Sequence, residues 1–222
     1  MLYNEVLIKS QARGGCELAG TLDIVNNSRI SALFSHNSSG NKDDFINTEL
    51  SKYLLANNIS TMRYNFHYVD RFPVQEAQFD DVMMDVDASY TMLVNRAVVP
   101  NVYLLGKSLG GAVSLEFSIR NQLKNPIIIL GFYEPLVTKY ITEARLKSLR
   151  SKVLVLQGEK DQYSNPAAIR AYFGRNSLSF LMYEIKNAQH SLESFDESVR
   201  TTADILQELK NKISEFIKST TF

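Results

Sequence analysis

Cysteine and histidine are scarce in this chain of 222 residues, and neither sign of charge prevails. The single cysteine, Cys16, excludes an intrachain disulfide and fits a reducing compartment. Its strand-like setting marks it as a packed side chain and not a nucleophile. The 24 basic and 24 acidic side chains cancel, so the chain lacks the footprint of a nucleic-acid or anionic-membrane binder. No apolar run approaches the roughly 20 residues of a membrane span. Met1 to Ser10 alternates polar and apolar residues without the apolar core of a secretory signal, so a cytoplasmic location is expected. The spacings H-E-x-x-H and C-x-x-C do not occur, so no metal mechanism has support in the sequence. Internal repeats, low-complexity tracts and linkers are also missing, and the length suits one domain, residues 1–222.

What is present alternates between two periods. Tyr3–Ser10 and Cys16–Val25 read as an antiparallel hairpin joined through Gly14-Gly15. Ile30–Phe34 is a short apolar strand running into the polar loop Ser35-His36-Asn37-Ser38-Ser39-Gly40-Asn41. Asp43 or Asp44 caps a helix to about Ala56 with Phe45, Ile46, Leu50, Tyr53 and Leu54 on its apolar face. Strand patterns follow at Ile59–Phe66, Val102–Leu105, Pro126–Leu130, Lys152–Gln157 and Ser179–Ile185. Helical spacing is expected over Gln75–Arg96, Ser108–Leu123, Thr142–Leu149, Pro166–Phe173 and, with Val199 as its first apolar position, Glu197–Lys218. The acidic group Asp80, Asp81, Asp85 and Asp87 reads as the solvated face of one of these helices. Strands alternating with helices after a hairpin predict an α/β fold with a mostly parallel central sheet and helices on both faces.

One stretch carries chemistry. In Leu104-Leu105-Gly106-Lys107-Ser108-Leu109-Gly110-Gly111 a buried strand turns into a helix with a serine at the apex. Gly106 and Gly110 flank Ser108 at minus two and plus two, the G-x-S-x-G spacing of a nucleophile elbow. A phosphate-binding loop is the rival reading, since Gly106-Lys107-Ser108 ends like one. That loop needs a glycine where Asn101 stands and a flexible segment where Val102–Leu105 is strand-like.

A serine nucleophile needs a base, and the base needs an acid to hold its tautomer. Of the three histidines only His190 lies beyond Ser108, and it follows a strand. Asp161 follows another strand, with Glu134 in reserve and Glu159 a substitute only if that strand ends earlier. In a parallel sheet the carboxyl ends of strands gather functional groups, which puts the 36–41 loop, Ser108, Asp161 and His190 together. The chain order Ser, Asp, His is the order characteristic of α/β-hydrolases.

On these residues the chain resembles the α/β-hydrolase superfamily, and within it the small serine hydrolases grouped with dienelactone hydrolase. The likeness extends over nearly the whole sequence, through Leu18-Ala19-Gly20-Thr21-Leu22, His36-Asn37, Met62-Arg63-Tyr64-Asn65-Phe66, the elbow, Gly158-x-x-Asp161 and His190. The resemblance implies hydrolysis of a small or medium carboxylic ester or thioester through an acyl-enzyme, with no cofactor, in a monomer or homodimer. The catalytic residues would be Ser108, Asp161 and His190, with the backbone N–H groups of Leu109 and Asn37 as oxyanion hole. Such relatives usually carry His-Gly where this chain has His36-Asn37, and asparagine is the next-best residue for a left-handed turn. Only about residues 132–150 are free to form a lid, so a shallow pocket lined by some of His36, Phe66, Tyr68, Tyr133 and Tyr163 is expected. A second reading, a binding or scaffold protein of the same fold with little or no turnover, rests on the altered Asn37 loop.

Overall fold

The computed structural model describes residues 4–98, 101–176 and 178–220. Its centre is an eight-stranded sheet: β1 (Glu5–Ser10), β2 (Cys16–Asp23), β3 (Ile30–Ser35), β4 (Ser60–Tyr64), β5 (Asn101–Lys107), β6 (Ile127–Leu130), β7 (Val153–Gly158) and β8 (Phe180–Ile185). They lie in the order β1-β2-β4-β3-β5-β6-β7-β8. The first two pairings, β1 with β2 and β2 with β4, are antiparallel, and all the others are parallel.

Sequence period explains the layering. Ile127, Ile129, Val153 and Val155 point into one apolar layer, while Ile128, Leu130, Leu154 and Leu156 point into the other. Strands buried on both faces read as unbroken aliphatic runs, as in Ile127-Ile128-Ile129-Leu130. Each such side chain contributes about 1.5–3 kcal/mol by leaving water. The first layer is closed by α2 (Phe79–Ala97), α3 (Leu109–Arg120) and α6 (Pro166–Arg175), and the second by α1 (Phe45–Ala56) and α7 (Thr202–Thr220). Two short helices, α4 (Glu134–Tyr140) and α5 (Glu143–Leu146), fill the connection from β6 to β7.

The strand order reverses beside β3. The chain leaves β3 for β4 on one side, then crosses back through α2 to β5 on the other. The loops after β3 and β5 therefore diverge and leave a crevice between them at the carboxyl end of the sheet. Ser35 is paired with Gly106 at that end, so the 36–41 loop and Ser108 are neighbours by register.

Several expectations are corrected. The terminal helix begins at Thr202, not Glu197, because Thr201 Oγ1 accepts the Asp204 N–H and Asp204 accepts the Thr201 hydroxyl, a reciprocal cap. Val199 lies in the preceding loop and is exposed. Phe45, the first residue of α1, is exposed and not on its buried face. Gln75 falls in a short 3-10 turn, Val74–Glu76, and α2 starts only at Phe79. The α4 helix lies where no element was expected, and the helix expected over Thr142–Leu149 is the single turn α5. Asp80 and Asp87 are solvated, but Asp85 is fully buried. Its carboxylate accepts the Ser10 hydroxyl at 2.7 Å, the His67 N–H at 2.8 Å and meets His67 Nδ1 at 2.6 Å, tying α2 to β1 and to the segment after β4. Tyr3 lies outside the described residues.

Candidate active site

The turn between β5 and α3 sets Ser108 at φ 51°, ψ −107°, a conformation that L-residues other than glycine rarely adopt. The two flanking glycines follow from packing. A Cβ on Gly106 would strike the backbone of Gly110, and a Cβ on Gly110 would strike the Ser35 carbonyl. The strand thus touches the helix, and the helix touches the end of β3, with no room for a methyl group. The Ser108 N–H donates to the Leu130 carbonyl at 3.0 Å, which anchors the turn to β6. As first residue of α3, Leu109 has an N–H that no helical carbonyl can take.

Asp161 stands three residues beyond β7 with its side chain out of solvent. Its Oδ1 accepts the N–H groups of Tyr163 at 2.7 Å and Ser164 at 3.1 Å. Its Oδ2 faces His190 Nδ1 at 2.6 Å. A carboxylate in this position only accepts, so Nδ1 carries the proton and Nε2 is left as the basic nitrogen. The rings of Tyr163 and Tyr133 stand edge-on to the imidazole, with centroids 5.0 and 6.3 Å away. Glu134, the reserve acid, is engaged elsewhere through an ion pair with Arg175 at 2.8 Å.

Ser108, His190, Asn37, Tyr133 and Tyr163 line one cavity of about 520 Å³. Asp161 sits behind His190. The other three residues expected in the pocket are not on its wall: His36, Phe66 and Tyr68 are buried. The His36 and Phe66 rings pack at 4.5 Å, and Phe66 stacks on Tyr68 at 5.8 Å. His36 Nδ1 donates to the Asn37 carbonyl at 2.6 Å, and Nε2 accepts the Phe66 N–H at 3.1 Å, so both ring nitrogens serve the backbone. Burial pushes its pKa down to about 4, against a weaker upward pull from the Asn37 carbonyl. Asn37 does not adopt the left-handed conformation expected of it. Its side chain instead accepts the Ser39 N–H at 3.0 Å and donates to Asp44 at 3.3 Å, folding the loop by hydrogen bonds that a glycine could not make.

Gln157, the penultimate residue of β7, is a residue that sequence reasoning missed. Fully buried, it accepts the Phe132 N–H at 2.7 Å and donates to Asp161 Oδ2 at 2.5 Å and to the Ser164 carbonyl at 3.1 Å. A glutamine in an apolar strand matches no motif; its polarity amid Val153–Leu156 was the one available signal.

A fold of this topology with a serine elbow at its switch point defines a class. The chain belongs to the α/β hydrolases: residues 28–218 match the family described as an alpha/beta hydrolase domain. A protein of Acanthamoeba polyphaga mimivirus, L404, assigned to the same class, is 25% identical over 136 residues, 55% of this chain and 51% of that one. The chain thus matches about half the length of that curated relative. Among solved structures it is similar to an α/β serine hydrolase homologue from Coxiella burnetii, with TM-score 0.77, 17% identity and coverage of 100% and 99%. A Xanthomonas campestris α/β serine hydrolase without a lid gives 0.74 and 16%, covering 97% and 96%. A dienelactone hydrolase from Anabaena variabilis gives 0.74 and 17%, covering 99% of each chain. Among the described residues no helix is long and apolar enough to cross a membrane.

Proposed function

We propose that the protein is a serine hydrolase cleaving a small or medium carboxylic ester or thioester through an acyl-enzyme. The observation that carries this reading is that Ser108 and an Asp161-oriented His190 line the same cavity. Ser108 Oγ attacks the carbonyl carbon while its proton passes to His190 Nε2. The oxyanion is taken by the N–H groups of Leu109 and Asn37, and Asp161 stabilises the imidazolium. The intermediate collapses, the C–O or C–S bond breaks, and His190 returns the proton to the departing alcohol or thiol. Water, deprotonated by His190, then attacks the acyl-Ser108 ester and frees the carboxylic acid and the serine.

The test is fluorophosphonate labelling of purified wild type beside Ser108→Ala and His190→Ala, followed by turnover of a series of acyl esters and thioesters. Wild type labels and both variants do not, and Ser108→Ala lowers kcat by about 10⁴-fold or more. A folded wild type that neither labels nor turns over any ester would refute the proposal in favour of a binding protein.

A further inference from the structure

Among the described residues the cavity wall carries two lysines, Lys107 and Lys160, and no aspartate or glutamate. The chain as a whole is neutral, so this imbalance is local. Lys107 is the stronger observation. It is the last residue of β5, next to the nucleophile, and its side chain is 8% exposed. The carboxylate facing its ammonium, Asp44 Oδ2, stands at 3.9 Å, beyond hydrogen-bond length. That same oxygen already accepts the Asn37 amide. Among the described residues the ammonium donates no hydrogen bond. The side chain is thus largely covered by protein while its ammonium meets the cavity, and an anion arriving there would supply the hydrogen-bond acceptor that the chain does not. Lys160 lies across the same cavity, beside Asp161, and is about half exposed, with Glu159 at 4.0 Å. Asp161 is held by His190, Gln157 and two backbone N–H groups and does not itself line the cavity.

We infer that Lys107 and Lys160 select an ester or thioester bearing a negatively charged group close to its scissile carbonyl. This rests on the hydrolase reading and narrows it to anionic substrates. An ammonium on a largely covered side chain is less screened than one on a half-exposed side chain, so Lys107 supplies most of the selectivity. Lys160, nearer to solvent, steers the charged end and is more readily screened by salt.

The experiment uses two matched pairs of chromogenic or spectrally resolved esters. Mono-4-nitrophenyl succinate against 4-nitrophenyl pentanoate places the charge on the acyl side. 4-Acetoxybenzoate against 4-acetoxybenzamide places it on the leaving group. In at least one pair the anionic ester is expected to have a kcat/KM about 10-fold higher at low salt. That preference shrinks as sodium chloride rises from tens to hundreds of millimolar, falls about 5-fold in Lys107→Met and falls by a smaller factor, about 2-fold, in Lys160→Met. Should Lys107→Met fail to fold, Lys160→Met at its more exposed site and the wild-type salt series decide. Turnover of both pairs with no anionic preference, or a preference that survives in Lys107→Met/Lys160→Met, overturns the inference and leaves the hydrolase intact. No turnover of any ester and no fluorophosphonate labelling overturns the hydrolase reading, and the inference with it.

Discussion

Gln157 Nε2 donates to Asp161 Oδ2, the same oxygen that meets His190 Nδ1. Asp161 is thus held from behind by a strand side chain that reaches no solvent, and its second oxygen is held by the Tyr163 and Ser164 N–H groups. Gln157→Leu keeps the volume but removes this donor and leaves the Phe132 N–H without its acceptor. Each buried group left unpaired costs about 1–3 kcal/mol. Urea denaturation should report a loss of that size. Because Gln157 acts on His190 only through Asp161, kcat should fall about 10- to 100-fold with KM little changed. A KM rise at constant kcat would contradict the positioning role.

Gly106 and Gly110 are expected to be intolerant of alanine. In both cases the added methyl meets backbone, which cannot swing aside as a side chain would. A cost of about 3 kcal/mol or more should lower Tm by roughly 6–12 °C in a chain of this size. Differential scanning fluorimetry of Gly110→Ala beside wild type measures it, and an unchanged Tm would mean that the turn relaxes.

His36 predicts an acid-sensitive fold. Its pKa falls from an ordinary 6.5 to about 4 on folding, chiefly through burial. The unfolded chain therefore binds a proton that the folded one refuses. The stability is fully present above pH 6.5 and is lost as pH drops from there towards 4, by on the order of 3 kcal/mol. Urea midpoints at pH 7.5, 6, 5 and 4 should trace this slope. In His36→Gln, which cannot titrate, the slope over that window should be shallower by about the same amount.

The pair Asp85 and His67 belongs to the frame and not to the chemistry. Asp85→Ala leaves the Ser10 hydroxyl and two His67 donors without their acceptor and should cost about 3 kcal/mol or more, since each buried group left unpaired costs about 1–3 kcal/mol. At a temperature where the variant is still folded, fluorophosphonate labelling should proceed as in wild type. Loss of labelling in the folded variant would tie α2 to the site.

Much of the architecture was legible because local pattern and tertiary environment agree. A run such as Val153-Leu154-Val155-Leu156 can be stable only as a strand covered on both faces, and the glycines about Ser108 leave few other turns. The nearness of Asp161 to His190 follows once β7 and β8 are placed side by side. The pocket wall was less legible. His36, Phe66 and Tyr68 follow strands as Tyr133 and Tyr163 do, yet the first three pack inward and the last two face the cavity. An aromatic after a strand has the same sequence signature in either place, and only the path of the loop decides its direction.

From the order of its residues alone, this protein is set as a mostly parallel sheet with a serine at a strained turn and a histidine and acid at later strand ends. These follow from rules that act within a few residues: aliphatic runs, glycine at close approaches, side-chain period. What only the tertiary structure decided is which polar groups leave water. Nothing local in the sequence separates buried Asp85 from solvated Asp87, or marks Gln157 as the support of Asp161. Burial depends on which distant element packs above a residue, and that is settled only when the whole sheet and its helices have closed.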